Sequence, residues 1–124
     1  GLLMRKDHEL AQKESVMTEE IKQYPLIMPG REKAKDQILH WMQCEERHLN
    51  IPAYYNILSN GALLVEAGMG CAVCLDGALA LHADLNLCFR QIIPEQITRS
   101  VILWRKNQLF SQAASLFIQT IQEQ

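Results

Sequence analysis

The stretch VEAGMGCAVCLD, residues 65–76, carries Cys71-Ala72-Val73-Cys74 just after two glycines. As a C-x-x-C it has the spacing of a redox dithiol or of half a zinc site. As a pattern it is a helix end, a glycine turn and a short apolar strand. A dithiol site places its first cysteine at a helix N-terminus, where the dipole and free N–H groups stabilise a thiolate. Here the pair follows the helix, with Gly68 and Gly70 between. On a strand, positions 71 and 74 point to opposite faces. A zinc site also needs a second ligand pair, and neither Cys44 nor Cys88 has a partner at ligand spacing. The strand reading prevails, and it predicts packed thiols with no metal and no cofactor.

The same alternation extends in both directions. Upstream, SNGALLVEAG (59–68) reads as a helix capped by Ser59 or Asn60 and stopped by Gly68. Before it, LNIPAYYNIL (49–58) reads as a strand with Pro52 near its start. Residues 32–43 form a helix with an apolar stripe of Ala34, Ile38, Leu39, Trp41 and Met42, preceded by the strand PLIM, which Pro29-Gly30 stops. Residues 18–24 suit a short helix with Thr18 as N-cap, and GLLMRK suits a buried strand followed by a polar loop. Downstream come GALALHADL (77–85), a turn or short helix, and the strand NLCFRQI. TRSVILWRKN (98–107) alternates around Val101, Leu103 and Arg105 and predicts a strand. SQAASLFIQTIQEQ predicts an amphipathic helix with Ala113, Leu116, Phe117 and Ile121 on one face. Strands and helices alternating over short links predict an α/β sheet with helices on both sides. Ligands in such sheets sit at the carboxyl ends of strands, near helix N-termini.

The bulk numbers exclude several classes. A chain of 124 residues with 48% hydrophobic and 21% charged residues suits one folded domain. A net charge of −2 argues against this chain holding DNA by itself, since phosphate neutralisation needs a basic surface. No apolar run approaches the roughly 20 residues of a membrane span. The start GLLMRKDH has too short an apolar run for a signal peptide, so the expected compartment is the cytoplasm, with reduced thiols. Leu2 to Met4 directly after Gly1 predict a piece cut from a longer protein.

Catalytic patterns are missing. His8, His40, His48 and His82 stand apart as surface or loop residues, although His40 and Cys44 have a metal-compatible spacing. Gly68-x-Gly70 makes no phosphate loop, and Glu19-Glu20 and Glu45-Glu46 suit solvated helix faces. Ser59-Asn60, between a strand and a helix, offers hydroxyl, amide and backbone N–H groups, either as a plain N-cap or as an anion site. Met28-Pro29-Gly30-Arg31 ends a strand and adds a cation. The expectation is no enzyme.

GLLMRKDHELA resembles a strand and loop usually seen as G-L-x-x-x-x-x-H-P-L-A in the effector-binding domains of LysR-type transcriptional regulators. NGALLVEAGMGCAVCLD resembles their helix–glycine–strand signature, and SVILWRKNQLFSQAASLFIQTI their return strand and closing helix. Glu9 departs from the usual proline, and Leu75-Asp76 from the usual Leu-Pro or Val-Pro. The resemblance implies a periplasmic-binding-protein-like (type II) doubly wound α/β fold, with the second lobe complete and the first partial. Residues 1–12 would be a strand and loop of the first lobe, 13–97 the second lobe, and 98–124 the first lobe's return strand and closing helix. It implies a small-molecule effector, with a small organic acid as one class, held by Met28, Pro29, Arg31, Ser59, Asn60, Cys74, Leu75 and Asp76. DNA would be bound only by a winged helix-turn-helix outside this chain. The alternatives are an exported solute-binding protein of the same fold and a redox role for Cys71 and Cys74. An incomplete first lobe would also leave Leu2, Leu3, Val101, Leu103 and the last helix exposed, which predicts self-association.

Overall fold

Leu2, Leu3 and Met4 have no solvent exposure, because the strand they form is enclosed on both edges and both faces. In the computed structural model, which describes residues 1–77, 80, 84–99 and 101–123, this strand is β1 (Leu2–Arg5). It pairs antiparallel with β5 (Cys71–Val73) on one edge and β6 (Leu87–Ile93) on the other. β3 (Leu26–Pro29) joins β5 in parallel, and β4 (Tyr54–Tyr55) joins β3. β2 (Ser15–Met17) runs parallel to β6, so the sheet order is β2-β6-β1-β5-β3-β4. Every one of these strands except β1 runs in the same direction.

Alternation along β1 sends Leu3 to one face and Leu2 and Met4 to the other. Leu3 packs with Ile27, Ala72 and Leu87 under α3 (Leu58–Glu66), which adds Ala62 and Val65. Leu2 and Met4 pack with Leu26, Met28, Val73 and Ile92. That face is covered by α1 (Thr18–Ile21) and α2 (Glu32–Met42), which add Ile21 and Met42. Helices on both faces make this the α/β sheet that the alternation predicts. The exposure expected for Leu2 and Leu3 is wrong, because β5 and β6 close both edges of their strand.

Within residues 65–76 the turn is set by its glycines. Gly68 sits at φ +82, the left-handed region that favours glycine. A Cβ on Gly70 would lie 2.5 Å from the Pro25 carbonyl oxygen, which also accepts the Cys71 N–H at 2.9 Å. β5 stops at Val73, leaving Cys74 to Asp76 beyond the strand end. All four cysteines are free.

Several expected elements differ. Thr18 lies inside α1 rather than capping it, since Met17 holds the cap position in extended conformation and Thr18 Oγ1 donates to the Ile93 carbonyl at 3.2 Å. The strand expected over 49–58 shrinks to Tyr54–Tyr55, following a 3-10 turn at Glu46–His48 and Pro52, which has no N–H for a ladder. Ile57, not Ser59 or Asn60, occupies the N-cap of α3. The alternating segment around Val101, Leu103 and Arg105 is not a strand. A strand exists through its partners, and none of the described residues pairs with it, so Leu103 is 87% exposed. α4 (Gln112–Gln122) forms as expected, with Ser111 Oγ accepting the Ala114 N–H at 3.3 Å, yet Leu116 and Phe117 face solvent. The turn or short helix expected over 77–85, with His82, falls largely outside the described residues.

Candidate functional site

The shared direction of β3, β5 and β6 brings their carboxyl ends to one end of the sheet. In such sheets this end forms the crevice where ligands bind. Pro29 ends β3, and Val73 to Asp76 carry the chain out of β5. Together with Tyr55 of β4, Trp41 and Ile38 of α2, Phe89 and Gln91 of β6, and residues 95–98, they line a cleft of about 860 Å³. That volume lies within the roughly 300–1,000 Å³ range of small-molecule pockets.

The cleft floor is held by hydrogen bonds between strands. The Tyr55 hydroxyl donates to the Val73 carbonyl at 3.0 Å. Burial pushes Tyr55 up to about 12, with the neighbouring Cys74 adding to the rise, so it lines the cleft as a neutral phenol. The Cys74 N–H donates to the Gly1 carbonyl at 3.0 Å and the Gly1 amine returns a bond to the Cys74 carbonyl at 2.8 Å. These bonds prolong the β1–β5 ladder into the cleft. Burial also pushes the Cys71 and Cys74 thiols up to about 11. At neutral pH this favours the un-ionised, poorly nucleophilic thiols and gives no support to a redox pair. Asp76 accepts the Gly77 N–H at 2.7 Å through Oδ1, shaping the exit turn. Trp41 Nε1 is buried without an acceptor among the described residues.

The residues singled out in the sequence divide into two groups. Pro29, Cys74, Leu75 and Asp76 line the cleft. Met28 is fully buried in the core beside it. Arg31, Ser59 and Asn60 are exposed and do not line the cleft. Arg31 takes the N-cap position of α2 without a side-chain cap bond, and the Asn60 N–H is already donated to the Ile57 carbonyl at 3.0 Å. Sequence reading placed Trp41 in an apolar helix stripe and gave no role to Tyr55 or Phe89. Tyr55 ends β4 while Phe89 lies within β6, and their only signal in the sequence is the aromatic type. Among the described residues no three His, Cys, Asp or Glu side chains gather where they could hold a metal ion. No described helix is long and apolar enough to cross a membrane.

The family described as LysR substrate binding domain matches residues 1–124. In structure the chain is similar to HinK, a LysR family transcriptional regulator from Pseudomonas aeruginosa, with a TM-score of 0.73 and 16% identity over 98% of this chain and 43% of that one. It is similar to the effector binding domain of QuiR in complex with shikimate, with a TM-score of 0.71 and 17% identity over 95% and 56% of the two chains. The Synechocystis PCC6803 CcmR regulatory domain in complex with 2-PG gives a TM-score of 0.72 and 15% identity over 98% and 60%. The chain thus spans about half the length of these structures. None of the proteins of curated function matches it.

Proposed function

The chain belongs to the LysR substrate-binding domain family, and from that premise we propose that it is the effector-sensing part of a transcriptional regulator. Its fold is the periplasmic-binding-protein-like type II α/β fold of that family. The observation that carries the proposal is the cleft at the carboxyl ends of β3 and β5, in a chain matched from residue 1 to 124. Residues 13–97 act as the second lobe and its cleft wall. Residues 1–12 and 98–124 belong with the first lobe, whose remainder supplies the opposite wall. The complexes of QuiR with shikimate and of CcmR with 2-PG support a small-molecule occupant. The effector prefers one arrangement of the lobes and shifts that population by its differential affinity. The shift is read by a DNA-binding domain elsewhere in the regulator, in the cytoplasm. Pro29, Cys74, Leu75 and Asp76 contact the effector directly. Arg31, Ser59 and Asn60 would contribute only if lobe closure brings the effector over them. No catalytic step is involved. The family match does not favour the exported solute-binding alternative.

Of the residues expected to hold a small organic acid, the polar and cationic ones suited to an anion, Arg31, Ser59 and Asn60, do not line the cleft. With those residues off the lining, the cleft's own side chains set the chemistry. A thermal-shift screen of metabolites against this chain tests the proposal. A binder whose effect is lost on Trp41→Ala or Leu75→Asp supports it. A broad panel without a binder, or a binder indifferent to both substitutions, counts against it.

A further inference from the structure

The charged side chains on the described lining of the cleft are two carboxylates, Asp76 and Glu95, with no lysine or arginine beside them. Neither carboxylate enters an ion pair among the described residues. The amine of Gly1 also reaches the lining, donating to the Cys74 carbonyl at 2.8 Å; burial lowers its pKa from the ordinary 8.0, and nearby Cys74 and Asp76 oppose that shift. Three aromatic residues, Trp41, Tyr55 and Phe89, line the same cleft. Aromatic rings attract cations to their faces and pack flat apolar bodies. A carboxylate entering here would meet two like charges, opposed only by the terminal amine and by no cationic side chain on the lining. An ammonium would meet two carboxylates and three rings.

Resting on the reading of this cleft as an effector wall, we infer that it takes an aromatic effector carrying a cationic nitrogen and discriminates against carboxylates. The two acids are exposed, so each contributes the modest attraction of a solvated pair. Together with the rings they set a discrimination of about tenfold. The preference is electrostatic and shrinks as salt screens it.

The test uses three probes built on one phenylethyl skeleton: phenethylamine, 3-phenylpropionate and 2-phenylethanol. Each is titrated into the ¹⁵N-labelled chain while the amide signals of Cys74, Leu75 and Gln91 are followed. Phenethylamine should bind about tenfold more tightly than 3-phenylpropionate, with the alcohol between them. The preference should fall to within about twofold in an Asp76→Asn/Glu95→Gln variant that keeps the parent's amide spectrum elsewhere. Equal or tighter binding of the carboxylate, or a preference that survives in the variant, overturns the inference and leaves the cleft reading standing. If none of the three moves these amides, both the inference and the cleft reading fall.

Discussion

The Tyr55 hydroxyl donates to the Val73 carbonyl at 3.0 Å, tying the edge strand β4 to the exit of β5 across the intervening β3. The same side chain lines the cleft, so one bond links the sheet's edge to the shape of the site. Tyr55→Phe keeps the ring and removes the bond. It should lower the unfolding free energy by about 1 kcal/mol, measured by urea denaturation, and shift the Cys74 amide signal. An unchanged midpoint and an unmoved signal would show that the bond does not hold the exit in place.

Gly70→Ala should be more damaging, at about 1–3 kcal/mol, because the added methyl meets backbone rather than a movable side chain. The contact is the Pro25 carbonyl oxygen at 2.5 Å, which is fixed in turn by the Cys71 N–H. Thermal denaturation of the variant measures this, and a melting temperature within error of the parent's would contradict it.

Stability should decline at high pH for a reason located in the sheet. Burial raises Cys71 and Cys74 to about 11 from an ordinary 9.0, and Tyr55 to about 12 from 10.0. The unfolded chain ionises near the ordinary values. Between pH 9.0 and about 12 the folded state therefore holds more protons than the unfolded one. Stability falls as pH rises through that window, while below it these groups have no effect. Urea unfolding at pH values stepped across the window should show the decline. A Cys71→Ala/Cys74→Ala variant should flatten its lower part. The parent's thiols should also react slowly with a disulfide reagent at neutral pH.

The exposed apolar side chains of residues 101–121 should drive association of the chain. Leu103 is 87% exposed, Leu109 97% and Phe117 60%, a concentration of apolar surface that soluble monomers rarely leave uncovered. Light scattering at micromolar concentration should report dimers or larger species. Leu103→Ser with Phe117→Ser should weaken them and leave the melting temperature nearly unchanged, because neither residue is in the core. A monodisperse parent monomer would refute this.

Local chemistry made the sheet's centre readable in the sequence. Leu2 to Met4, the glycine turn before Cys71 and the apolar run from Leu26 each carry their own strand signal, and the Ala34–Ile38–Met42 spacing marks α2. What escaped depended on distant partners. β2 offers a single buried residue, Val16, between exposed Ser15 and Met17, and exists because β6 lies beside it. The segment around Leu103 has the right alternation and no partner among the described residues. At the site, Leu75 and Asp76 were legible because a strand must end somewhere after Val73. Trp41 and Phe89 were not, because only the tertiary arrangement decides which aromatic side chains face the same space. Ser59 and Asn60 misled because polar residues favour caps, while the chain turns into α3 earlier, at Ile57.

The reversed strand at the heart of the sheet has a kinetic consequence. Leu3 takes its neighbours from Ala72 and Phe89, so β1 can be enclosed only after nearly all of the described sheet has left the ribosome. Until then Leu2, Leu3 and Met4 lack these partners, and closing such distant pairings is slow. The enclosure of β1 is therefore expected to be among the last steps in forming this sheet.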